Sequence, residues 1–171
     1  MSKTNIPVLG FLAASGTGKT TLLTTLIPLL NAKKLRVGVI KHSHHNFEID
    51  HEGKDSFRLR HAGGTPMVLV SKYRRVIIEE FPNQIEPHLE DQIALFDPSD
   101  IDLILVEGFR NSPIPKIELH RASLNKPTLY LNDSHIIAIA TDINLDTTLP
   151  QLNLNQPNEI AEFILHKFLK L

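Results

Sequence analysis

Residues 13–20 read A-A-S-G-T-G-K-T, directly after the apolar run "PVLGFL" and directly before a leucine-rich segment. This is the phosphate-loop spacing G-x-x-x-x-G-K-[ST], with Ala13 in the place of the first glycine. No other feature narrows the fold as much. The pattern works only where a strand ends, a loop turns successive amides toward an anion, and a helix begins whose positive end faces the same point. Gly16 and Gly18 permit the backbone angles that this turn needs. Lys19 is placed to reach the outer phosphates, and Thr20 to offer its hydroxyl to magnesium.

The rest of the chain supplies what such a loop requires. Short Val/Ile-rich runs interleaved with helix-period segments predict an α/β fold, a mostly parallel sheet flanked by helices. Central strands are expected at 7–13, 36–41, 101–107 and 136–141. "MVLVS" and "VIIEEF" flank the short turn "KYRR", so an antiparallel β-hairpin is expected there as an insertion or an edge extension. "KIELH" (116–120) reads as a further edge strand. The first helix should start near Gly18 and turn Leu22, Leu23, Leu26 and Leu30 inward, with a kink or early end at Pro28. Further helices are expected at 55–62, stopped by Gly63-Gly64, at 87–96, and from Pro157 onward. The last places Ile160, Phe163, Ile164 and Phe168 on one face and Glu159, Glu162 and Lys167 on the other. With 171 residues and no repeat or linker, one nucleotide-binding domain over 1–171 is expected.

Composition bounds the chemistry. There is no cysteine, which excludes disulfides and thiolate sites. A formal net charge of −1 gives no broad footprint for nucleic acid or an anionic membrane. No run approaches the roughly 20 apolar residues of a membrane span, and "MSKTNIPVLGF" lacks the apolar stretch of a signal peptide. A cytoplasmic protein is the expectation.

A phosphate loop needs a second acid at the carboxyl end of a neighbouring strand. "DLILVEGF" supplies Glu107 as the magnesium-side or water-positioning residue, with Gly108 behind it allowing close approach of backbone to phosphate. Asp102 lies at the opposite end of the same strand. "KHSHH" (41–45) follows the second strand and so belongs on the same edge as the loop. His42 and His44 would share one face in a strand, and the cluster reads as a polar lining for a phosphate or second ligand ahead of a solvated loop or an incomplete metal site. In "EGKDSFRLRHAGG", Asp55 is placed to cap a helix. Lys54, Arg58 and Arg60 could meet a phosphate or a partner, or form an exposed charged face. Glu79, Glu80, Glu86 and Glu90 read as solvated charge.

Taken together, "AASGTGKTTLL" with "LIPLL", "GVIKHSHH", "GKDSFRLRHAG" and "DLILVEGF" resemble the molybdopterin-guanine dinucleotide biosynthesis protein B family. The match runs from about residue 7 to 110, and more loosely through "HIIAIATD" to the last helix. The resemblance implies a P-loop NTPase fold that binds GTP with Mg2+. It also implies a homodimer with at most weak GTP hydrolysis, and an accessory role beside a molybdenum cofactor guanylyltransferase, with molybdopterin itself as a further ligand. It carries Ser15, Gly16, Thr17, Gly18, Lys19, Thr20 and Thr21 over as the nucleotide loop, Glu107 as the second acid, and His42, His44 and His45 as the histidine motif.

Guanine selection is less marked. The near match to [NT]-K-x-D, "NKPT" (125–128), ends in Thr128 where an acid is needed. Asp142, closing the strand at 136–141, is the other place from which a carboxylate could accept the guanine N–H groups; a strand-terminal turn aspartate is the alternative. Two further readings follow from the residues alone: a small-molecule kinase using ATP, with residues 54–61 as an arginine-bearing lid, and a GTP-dependent metal chaperone using the histidines.

Overall fold

Six parallel strands form the sheet that carries the phosphate loop, in the spatial order 37–41, 103–107, 8–13, 116–120, 136–141 and 151–153. The computed structural model describes residues 6–43, 45–81, 83 and 85–171. Within them the chain divides into two compact units: the chain up to His42 together with His88–Leu171, and Ser43–Pro87.

In the larger unit, β1 (Val8–Ala13) leads through the phosphate loop into α1 (Lys19–Ala32), and β2 (Val37–Lys41) follows. After the smaller unit come α3 (Leu89–Ile93), β5 (Leu103–Glu107), β6 (Lys116–His120), β7 (Ile136–Thr141), β8 (Gln151–Asn153) and α4 (Pro157–Phe163). A wider helical turn at Ile164–Leu169 extends α4.

Alternation along the strands sorts side chains onto two faces. Leu9 and Phe11 of β1 and Ile117 and Leu119 of β6 pack with Leu22, Leu23, Leu26 and Leu30 of α1 and with Ile160 and Ile164. On the other face, Ile104 and Val106 pack with Leu89 and Phe96, while Leu12 packs with Ile136 and Ile139. Each fully buried aliphatic side chain stabilises the fold by about 1.5–3 kcal/mol relative to exposure. The core therefore fixes the strand ends, and with them the functional edge.

Three expectations are corrected. β6 is not an edge strand: it lies between β1 and β7, and Lys116 and Glu118 are buried along with its apolar residues. Lys116 and Glu118 are both satisfied internally. Pro28 neither ends nor shortens α1, which runs on to Ala32. Thr24, whose carbonyl loses its donor, and Pro28 are both solvent-exposed, so water can replace the missing bond. Asp55 does not cap its helix; Lys54 holds the cap position and Asp55 is the first helical residue.

The smaller unit contains α2 (Asp55–His61) and a two-stranded antiparallel sheet of β3 (Met67–Val70) and β4 (Arg75–Ile78). The hairpin is thus an insertion with its own sheet, and not an extension of the parallel one. Arg60 is buried here, between Glu48, 2.5 Å away, and Glu80. Among the described residues no helix is long and apolar enough to cross a membrane.

Candidate functional site

All strands of the large sheet are parallel, so their carboxyl ends share one edge, and the chemistry collects there. The loop between β1 and α1 turns through two left-handed glycines, Gly16 at φ 83° and Gly18 at φ 97°. Gly18 is also the cap of α1; no side chain bonds the first helical amides, and no acid stands in the first turn. Those amides, the helix dipole and exposed Ser15 and Gly16 leave an anion cradle open to solvent. Thr17 plays a different part. It is 1% exposed and its hydroxyl donates to the Ala14 carbonyl at 2.7 Å, so it braces the loop from inside. Ala13 is accommodated as the last residue of β1.

Glu107 ends β5 beside the loop. One carboxylate oxygen lies 3.4 Å from Lys19 Nζ and the other 3.6 Å from Lys41 Nζ. The register explains this convergence: Glu107 pairs with Phe11 on one side and with Lys41 on the other. Behind it, Gly108 adopts φ 98°, and a Cβ there would fall 2.6 Å from His42 Cβ. His42 in turn donates its backbone N–H to the Glu107 carbonyl at 2.8 Å and stacks on Phe109 with ring centroids 4.6 Å apart.

These residues fit a magnesium ion held mainly by phosphate and water. Such a site needs few protein oxygens, and an exposed threonine on the first helical turn and one carboxylate on the adjacent strand are what the loop presents. Thr20 and Glu107 would hold the ion, which would supply charge neutralisation between phosphates. Among the described residues no three His, Asp or Glu side chains form a metal cluster.

The other predicted residues are divided between the two units. His42 belongs to the larger unit and His45 to the smaller. His45 is exposed and bonds only locally, its N–H donating to Ser43 Oγ at 3.2 Å. His44 lies outside the described residues. Lys54 and Arg58 are exposed on α2, and Arg58 stands 3.8 Å from Asp55. Arg60 is held by its two glutamates, so one arginine of the suggested kinase lid is already engaged. Glu80, read as solvated charge, is therefore one half of a structural ion pair.

Asp142 follows β7 on the functional edge, beside an open depression of about 440 Å³ whose walls include Asn144, Asn153 and Asn155. Its Oδ1 accepts the Ala122 N–H at 2.9 Å and its Oδ2 lies 3.5 Å from Arg121. Arg121 also donates from Nε to the Thr17 carbonyl at 3.3 Å, which links the phosphate loop to the loop after β7. Neither Arg121 nor Lys41 is singled out by motif. Both are strand-end residues, Lys41 closing β2 and Arg121 following β6, and that position in a parallel sheet is the signal that finds them.

Comparison with known proteins gives the same ordered set a family. The model of the family described as molybdopterin guanine dinucleotide synthesis protein B, MobB, matches residues 8–142. The chain belongs to the MobB family. A molybdopterin-guanine dinucleotide biosynthesis adapter protein of Haemophilus influenzae is 45% identical over 166 residues, covering 95% of this chain and 92% of that one. Its counterpart in Escherichia coli is 43% identical over 163 residues, covering 95% and 93%. A crystal structure of molybdopterin-guanine biosynthesis protein B superposes with a TM-score of 0.71 at 27% identity, covering 92% of this chain and 97% of the other. The Bacillus subtilis MobB structure, at 23% identity and a TM-score of 0.72, agrees in fold. The mostly parallel sheet with flanking helices is thus the P-loop NTPase fold of MobB proteins.

Proposed function

We propose that this MobB-family chain is a cytoplasmic GTP-binding adapter of molybdopterin-guanine dinucleotide biosynthesis, acting beside a partner guanylyltransferase. The observation that carries the reading is Lys19 and Glu107 facing each other at 3.4 Å across the mouth of a phosphate loop. The pathway rests on the Haemophilus and Escherichia relatives, which are molybdopterin-guanine dinucleotide biosynthesis adapter proteins and match along nearly their whole length.

In this reading the amides from Ser15 to Thr21 and Lys19 grip the phosphates of GTP, and Thr20 and Glu107 hold Mg2+. Asp142 reads the guanine edge, its carboxylate having acceptor sites left beyond the Ala122 bond. Glu107 sits between two lysines that engage both of its carboxylate oxygens, so it is not placed as a free general base. Hydrolysis is therefore weak and rests on electrostatic stabilisation of the phosphoryl group. In the smaller unit, His45, Lys54 and Arg58 are exposed to a second ligand such as molybdopterin, or to the partner. A homodimer is part of the proposal. Val68, Leu69, Val70 and Ile77 of the hairpin are all exposed, more apolar surface than a two-stranded sheet ordinarily leaves to water.

The test is an affinity capture of the tagged chain from its own cells with GTP, with ATP and without nucleotide. Enrichment of a guanylyltransferase supports the adapter reading; its absence in every arm, with the nucleotide loop intact by titration, removes it. Light scattering at tens of micromolar decides the dimer.

A further inference from the structure

The polar side chains of β6 form a stripe that nucleotide binding does not use. Ile117 and Leu119 pack on the α1 side, so Lys116, Glu118 and His120 alternate onto the opposite face. Gly10 of β1 makes room for them: a Cβ there would meet Lys116 Cγ at 2.9 Å. Two adjoining cavities, of about 570 and 260 Å³, open on this stripe and share Arg110 and Leu129 in their walls. The smaller one reaches Ala13, Ala14 and Thr17 of the phosphate loop.

Lys116 and Glu118 of the stripe already have partners. Lys116, 2% exposed, holds Asp133 at 2.9 Å. Glu118 accepts the N–H groups of Leu129 and Tyr130 at 2.7 and 2.8 Å. What is left over is positive. Among the described residues Arg110 and Lys126 form no salt bridge, although the Glu118 carboxylate in the same wall acts electrostatically on Arg110 and His120, and both cations line the smaller cavity. So does His120, whose Nε2 lies 3.3 Å from the Lys126 carbonyl while its Nδ1 is buried without a hydrogen-bond partner. A buried ring nitrogen left unpaired is a standing cost that a ligand oxygen would remove.

We propose that this groove is a second anion site, distinct from the phosphate loop, which takes a small phosphate monoester with a polar body. The phosphate lies among Arg110, Lys126 and His120. The two cations match the charge of the phosphate, and its P–O–H donates to Nδ1 while Nε2–H keeps its bond to the carbonyl. The body extends past Leu129 into the larger cavity, where Asn111, Asn132 and His135 offer hydrogen bonds. The site does not depend on GTP being the nucleotide, nor on the phosphate loop being filled.

The test uses the full chain labelled with 15N-histidine, titrated with ribose 5-phosphate, with ribose, and with sodium sulfate at matched ionic strength, while the imidazole resonances are followed. Ribose 5-phosphate should shift His120 saturably both in wild type and in Lys19→Ala, and ribose should not. Arg110→Ala and Lys126→Ala should each weaken the response roughly tenfold or more; both side chains are at the surface, and circular dichroism confirms that the variants fold. No saturable shift at His120, a shift abolished by Lys19→Ala, one indifferent to both surface variants, or equal affinity for sulfate overturns the proposal.

Discussion

Lys19 and Lys41 share one carboxylate: Glu107 offers one oxygen to the loop lysine at 3.4 Å and the other to the last residue of β2 at 3.6 Å. Three strands meet in this arrangement, since β5 pairs with both β1 and β2. The loop lysine is thereby held near the cradle it serves before any phosphate arrives. Two positive groups on one acid also leave the mouth of the loop attractive to anions, which suits phosphate capture better than proton abstraction.

Lys19→Ala should abolish most nucleotide binding without unfolding the domain. The side chain contributes charge to the loop and nothing to the core, so its loss should cost about 1.5–3 kcal/mol, a tenfold to hundredfold weakening. Titration calorimetry reads the affinity and circular dichroism the fold. Affinity equal to wild type would remove the phosphate-loop assignment.

Gly108→Ala should destabilise the functional edge. At φ 98° an alanine is strained, and its Cβ would also lie 2.6 Å from His42 Cβ and 3.2 Å from the His42 carbonyl oxygen. Strain of this kind costs about 1–3 kcal/mol before the clash is counted. Thermal unfolding should move down by several degrees, and a variant as stable as wild type would show that the loop after β5 relaxes freely.

Asp102 gives an acid-sensitive element at the far end of β5. Arg36 bonds its carboxylate from the backbone N–H, Nε and an NH2 group, and holds its pKa at about 2, below the ordinary 3.8. A folded value below the unfolded one means that the unfolded chain takes up the proton first. The contribution is complete above about pH 4 and is lost as pH falls toward about 2. The stability gap between wild type and Asp102→Asn, measured by urea unfolding, should therefore narrow across that window. A gap constant from pH 7 to pH 2 would contradict the assignment.

Much of the fold is legible because periodicity and the loop motif agree. β1, β2, β5, β7 and α1 follow from apolar spacing, and Glu107 follows from its place at the end of one such run. β6 is misread for a physical reason. Lys116 and Glu118 look like solvent-facing charges, and only the fold reveals Asp133 and the amides of Leu129 and Tyr130 that satisfy them. That misreading hides Arg121 as well, since a residue after an edge strand gives no cause to look for a contact with the phosphate loop. Arg60 shows the same limit: two arginines two residues apart on α2 look alike in sequence, yet one is exposed and the other is closed in by Glu48 and Glu80.

The sharpest test falls on Asp142, where the proposed base reading and the observed structural support would share one carboxylate. Its Oδ1 holds the Ala122 N–H at 2.9 Å, and its Oδ2 stands 3.5 Å from Arg121, which also touches the Thr17 carbonyl. A carboxylate has about four acceptor sites, so accepting guanine N1–H and N2–H does not require release of Ala122. Asp142→Asn would keep an acceptor for N1–H but set an amide donor against the guanine 2-amino group, at a cost of about 1–3 kcal/mol, and weaken GTP. XTP, with an oxygen in place of the 2-amino group, should bind the variant better than it binds wild type. The reversal is what identifies a base reader, because loss of GTP alone could follow from a loosened Ala122 turn or a displaced Arg121. If the variant keeps wild-type affinity for GTP and still rejects XTP, Asp142 serves only the Ala122 turn, and guanine selection must lie with other groups around the depression, Asn144, Asn153 and Asn155 first among them.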